Sequence, residues 1–122
     1  MPSFSGGRNI ALKVPPHQYD GTIRFYRDVL GLAPATAPGG DAIGFRFGSC
    51  NLWIDRVETM SQAELWLEVV TNDPRAAAAH LAEADVVRCD AIEPLPEGFK
   101  GFWIANPCGI VHLIGAQEQS WS

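Results

Sequence analysis

Few side chains in this sequence are of types that do chemistry, and their spacing closes off most familiar reactions. No GxSxG elbow, phosphate-binding P-loop, HExxH zinc helix or dinucleotide-binding glycine fingerprint occurs. Cys50, Cys89 and Cys108 are an odd number, widely spaced and without a CxxC pair, so they read as free thiols in a reducing compartment. Cys108 falls in a turn and would need a nearby base to read as a nucleophile. His17 reads as a solvated loop residue and His80 as a helix residue. Among the other polar and aromatic side chains, Asp55, Glu68, Lys13, Asn9, His112 and the indoles of Trp53, Trp66 and Trp103 are of types that could line a site. Acidic groups could pair with a cationic ligand, indoles could wall a planar one, and Lys13 could neutralise an anion. Each also has a plainer use: Asp55 as a solvated strand-end charge, Asn9 as a strand-edge amide, His112 as a hydrogen-bonded sheet residue, the indoles as core, and Lys13 as a stem lying along apolar surface.

These residues must be held by a small scaffold. The chain has 122 residues, 47% hydrophobic and 19% charged, which fits one packed domain, 1–122, and argues against disorder. A net charge of −5 with nine scattered Lys and Arg residues argues against nucleic-acid binding. Met1 to Gly7 lacks the charged start and apolar run of a signal peptide, and no apolar stretch approaches the ~20 residues that span a bilayer. The expectation is a cytoplasmic protein with no membrane partner.

Alternation predicts a strand over Arg8 to Val14, with Ile10, Leu12 and Val14 on one face, ended by Pro15-Pro16. A helix follows, with Asp20 as its expected cap, Ile23, Tyr26, Val29 and Leu30 at helical spacing, and Gly31 as a left-handed stop. A short strand near Leu32 to Thr36 and a turn at Pro38-Gly39-Gly40 lead to a hairpin, Ala42–Phe47 and Asn51–Val57, turning at Gly48-Ser49. After a connector the pattern restarts. A strand over Glu64–Thr71 precedes a helix capped by Asn72 or Asp73, with Pro74 in its first turn, ending near Glu83. Short strands follow at Val86–Cys89, Phe99–Ala105 and Ile110–Gly115, the last two joined by Asn106-Pro107-Cys108-Gly109. Gln117–Ser122 reads as a polar tail. The order strand, helix, three strands thus occurs twice.

Three segments carry a resemblance. They are Asn9–Val14 followed by Ile23-Arg-Phe-Tyr-Arg-Asp-Val-Leu-Gly-Leu32, then Leu65–Leu81 with its Asn72-Asp73-Pro74-Arg75-Ala76 start, and Phe102-Trp-Ile-Ala-Asn-Pro-Cys-Gly109. Together they cover nearly the whole chain, and the sequence resembles the vicinal oxygen chelate superfamily of glyoxalase, bleomycin-resistance and extradiol dioxygenase proteins. The resemblance implies an α+β, glyoxalase-like fold. Two βαβββ modules, about 8–57 and 64–116, would form a curved mixed sheet with an open concave cleft. Ile10, Leu12 and Val14 would pack on the first helix, and Leu65, Leu67 and Val69 on the second. Asn9, Ala11 and Lys13, with Trp66, Glu68 and Val70, would then face the cleft, which is the ligand site in this superfamily.

The resemblance also implies four positions for a divalent metal such as Zn, Ni, Fe or Mn. Asn9 stands at the first, where His or Gln is usual. Asp55 aligns with the second and keeps a carboxylate. Trp66 stands at the third, and an indole N–H can only donate. The fourth falls on Leu113, or on His112 if the hairpin is one residue shorter, and a one-residue slip flips the face.

The reading that follows is a binding protein without a cofactor. It would take a small organic molecule at Asn9, Lys13, Trp53, Asp55, Trp66, Glu68 and His112, without a complete metal site. The alternative is a divalent-metal-dependent lyase, isomerase or dioxygenase of the glyoxalase type using Asp55 and His112 as ligands, with Glu68 the candidate base. The resemblance further implies a homodimer.

Overall fold

The computed structural model describes residues 2–36 and 40–117. The element order is β1 (Phe4–Val14), α1 (Pro16–Arg24), β2 (Pro34–Ala35), β3 (Ile43–Phe47), β4 (Cys50–Arg56), β5 (Glu64–Thr71), α2 (Pro74–Glu83), β6 (Val87–Arg88), β7 (Gly101–Ala105) and β8 (Val111–Ala116). This is the twofold βαβββ order expected from the sequence, in an α+β chain. Close contacts divide it into two bodies, residues 8–66 and residues 2–7 with 67–117. Part of the Pro38-Gly39-Gly40 turn and all of the tail beyond Gln117 lie outside the described residues.

In the first body the strand order is β2-β3-β4-β1. β1 runs parallel to β4, with Ile10 beside Leu52, Leu12 beside Ile54 and Lys13 beside Asp55. A parallel pair needs a long crossover, and α1 with β2 and β3 supplies it. Pro15 and Pro16 do two jobs. They stop β1, and Pro16 starts α1, because its missing N–H falls among the donors a helix start leaves unpaired. The helix therefore begins four residues before the expected Asp20 cap, and Asp20 lies inside it. Its end is wound wider. Phe25–Val29 is a π-helical turn, with the Leu30 N–H donating to the Phe25 carbonyl at 3.0 Å. Gly31, at φ 66°, then makes the left-handed stop. Val14, Ile23, Phe45, Leu52 and Ile54 form the core, with Ile10 and Leu12 packed against it. The whole aliphatic face of β1 meets the helix side, as alternation predicts.

The second body has the order β5-β8-β7-β6, with β5 parallel to β8. Asp73 caps α2, its Oδ1 accepting the Ala76 N–H at 3.0 Å, and Pro74 follows at the first position. Asn72 is used elsewhere, accepting the Ser3 N–H at 2.9 Å. Ala77, Phe102, Ile104 and Ile114 form the core, with Val69, Ala78, Leu81 and Val86 against it. One expectation fails here. Of Leu65, Leu67 and Val69 only Val69 joins this core, while Leu65 and Leu67 are exposed. Half of the ten helix residues are alanine, and of the three strand residues only Val69 shares a core with the helix residues Ala77, Ala78 and Leu81.

Candidate functional site

On the first body, the strand face away from α1 is laid out in cross-strand rows, because registered neighbours point to the same side. Arg46, Asn51 and Asn9 make one row across β3, β4 and β1, Gly44, Trp53 and Ala11 the next, and Asp55 and Lys13 a third. Two residues along a strand separate the rows by about 7 Å.

The first row is a hydrogen-bond relay. The Arg46 guanidinium donates to Asn51 Oδ1. Asn51 Nδ2 donates to Asn9 Oδ1 at 3.1 Å, and Trp53 Nε1 donates to the same oxygen at 2.8 Å. The second row makes room for the indole. A Cβ at Gly44 would stand 2.9 Å from Trp53 Cζ3 and 2.9 Å from the Leu52 carbonyl, so only glycine lets the ring lie across β3. The third row is ionic. Lys13 Nζ lies 2.9 Å from Asp55 Oδ2 and 4.3 Å from the centroid of the Trp66 ring. Lys13 is 4% exposed, the one cation among the buried polar residues described. The Trp66 N–H donates to Glu64 Oε1 at 3.1 Å. Trp53 and Trp66 are both buried, so neither stands out as the aromatic wall that was expected.

In the second body, Glu68 lies across the backbone of Gly7, where a Cβ would stand 2.6 Å from its Cδ. Register places Leu113 beside Glu68, and Trp103 beside Leu113, on one face. His112 pairs with Leu67 and Ile104 and so lies on the other face, the one that carries the Val69–Ile114 core. Its Nδ1 is 3.0 Å from the Ile110 carbonyl. The sequence left His112 and Leu113 open, and the strand register decides for Leu113. His112 therefore stands on the opposite strand face from Glu68. Trp103 is a structural residue, since its indole N–H donates to the Glu93 carbonyl at 2.9 Å.

The donors at the four expected metal positions do not fit a divalent cation. The one metal-capable atom of Asn9, its carbonyl oxygen, is committed to two N–H donors. Asp55 holds an ammonium, Trp66 offers an N–H, and Leu113 offers carbon. Among the described residues, no three His, Cys, Asp or Glu side chains are gathered closely enough to hold a metal.

Of the nominated residues, the structure thus places Asn9, Lys13, Trp53, Asp55 and Trp66 in one body and Glu68 in the other. Two surface depressions on the first body, both lined from α1, include none of them. Arg46, Asn51 and Gly44 were missed from sequence. The signal was present: a two-residue turn at Gly48-Ser49 fixes Arg46 opposite Asn51 and Gly44 opposite Trp53. The cysteines remain outside the site, and burial, with Asp90 beside it, pushes the Cys89 thiol up.

No protein-family model and no curated protein matches the sequence. Solved structures do. The Mn(II)-bound glyoxalase from Novosphingobium aromaticivorans superposes with a TM-score of 0.68 over 100% of this chain, at 17% identity. The fold is the vicinal oxygen chelate fold. A glyoxalase/bleomycin resistance protein/dioxygenase superfamily member from Vibrio splendidus matches with a TM-score of 0.58 and 13% identity, over 93% of this chain and 100% of that one. The methylmalonyl-CoA epimerase from Mycobacterium tuberculosis matches with a TM-score of 0.63 and 12% identity, over 93% of this chain and 89% of that one. The chain spans 42% of the length of the Novosphingobium glyoxalase. No helix among the described residues is long and apolar enough to cross a membrane.

Proposed function

We propose that this chain binds a small organic molecule on the strand face of Asn9, Lys13, Trp53, Asp55 and Trp66, without the metal its fold relatives can carry. One observation carries the reading. The carboxylate aligned with the second metal position is held by a buried lysine, so the face is built around a covalently attached cation. A divalent ion such as Mn(II) is held by anionic oxygen or imidazole donors, and the carboxylate in these rows is already paired with Lys13. The exposed guanidinium of Arg46, fixed by the Asn51–Asn9 relay, is its polar handle. Arg46 makes no ion pair within the described residues, and a carboxylate on a planar, partly apolar molecule suits it. The free cysteines suit a reducing compartment, and the same reading includes a cytoplasmic location and a homodimer.

Elemental analysis of the purified protein and a tryptophan-fluorescence titration with aromatic carboxylates test it together. The expected result is no stoichiometric transition metal, and saturable quenching that Arg46→Ala weakens at least about tenfold. A stoichiometric metal lost on Asp55→Asn would sink the reading, as would the absence of saturable quenching by any member of the panel.

A further inference from the structure

We propose that the Lys13 ammonium is a resident cation whose charge closes this face to divalent metals. The inference rests on the metal-free reading above and adds the group responsible for it. Lys13 is in register with Asp55 on the neighbouring parallel strand, so the backbone pairing delivers the ammonium to the carboxylate. The contact is 2.9 Å, a charge-assisted hydrogen bond at ordinary length. The Trp66 ring lies 4.3 Å from the same nitrogen, so the negative face of the indole is a second contact to this cation. With 4% of the residue exposed, the ammonium cannot swing out to water without opening the face. A dication approaching Asp55 would meet a positive charge already within hydrogen-bond distance of that carboxylate. Trp66 is then more than a lost ligand. An imidazole at that position would supply a metal donor, but it would also remove the indole face and leave the repelling charge in place.

This sets the outcome of restoring the missing ligand. Mn(II) binding to the full chain is read from the electron-paramagnetic-resonance signal of free Mn(II). The proteins compared are the wild type, Trp66→His, Lys13→Met with Trp66→His, and that pair with Asp55→Asn. Trp66→His alone should bind no better than wild type. Adding Lys13→Met should tighten binding about a hundredfold or more, and Asp55→Asn should remove the gain. Should the double variant fail to fold, Lys13→Gln replaces Lys13→Met. If Trp66→His alone gains the full affinity, the ammonium excludes nothing and the proposal is refuted. A folded double variant with no gain refutes it too, while the metal-free reading survives. Stoichiometric Mn(II) on the wild type through Asp55 overturns both.

Discussion

Replacing Asp55 by Asn removes one charge from the Lys13 pair and keeps the side-chain volume. At an effective dielectric near 20, unit charges 2.9 Å apart attract by about 6 kcal/mol. The net contribution is smaller, because the ammonium loses its hydration when buried and because the Asp55 side chain keeps 31% of its surface in water, against 5% for Lys13. We expect Asp55→Asn to destabilise by about 2 kcal/mol, which lowers the melting temperature by about 6–10 °C for a chain of this size. Lys13→Met is the informative partner. It removes the buried charge altogether, leaves a carboxylate that water can reach, and replaces the ammonium–indole contact with a thioether one. Its cost should stay under about 1 kcal/mol. The two singles and the double, unfolded in urea and followed by near-ultraviolet circular dichroism, give the coupling energy directly. A Lys13→Met cost above that of Asp55→Asn, or a coupling below about 0.5 kcal/mol, refutes the description of Lys13 as the buried member of a working ion pair.

Two further outcomes follow from neighbouring geometry. Gly44→Ala should cost about 1–3 kcal/mol and alter the Trp53 fluorescence, because the new methyl meets the Trp53 ring and the Leu52 carbonyl. An unchanged melting curve and spectrum would show that the indole does not lie over Gly44. The raised Cys89 thiol holds less thiolate at any given pH. Iodoacetamide near neutral pH should therefore modify the exposed Cys108 before the half-buried Cys89, as read by peptide mass spectrometry, and the reverse order would refute that ranking.

The sequence made the first body legible because its alternation is clean. Ile10, Leu12 and Val14 select the helix side, and Asn9 and Lys13 follow onto the other by pleating alone. The start of α1 was misplaced because Pro15-Pro16 serves as strand stop and helix start at once, and the cap rule favoured Asp20. Leu65 and Leu67 misled because an alanine-rich helix cannot cover a whole strand. The last strand was undecidable locally. His112 and Leu113 are adjacent, and the side each faces depends on pairing with β5, more than forty positions earlier in the chain. The Lys13–Asp55 contact is also non-local, since it follows from the parallel register of β1 with β4, which neither strand's own residues reveal.

That separation has a kinetic meaning. Lys13 and Asp55 stand 42 positions apart, on strands that meet in parallel only after the chain between them has crossed back. A long loop must close before the two charges meet, so we expect their bond to form late in the assembly of the first module. It forms as the crossover completes, so mutations at the pair should act mainly on the unfolding rate and leave the folding rate nearly unchanged. The buried lysine is in this sense a latch on a finished module, fastened last and resisting release.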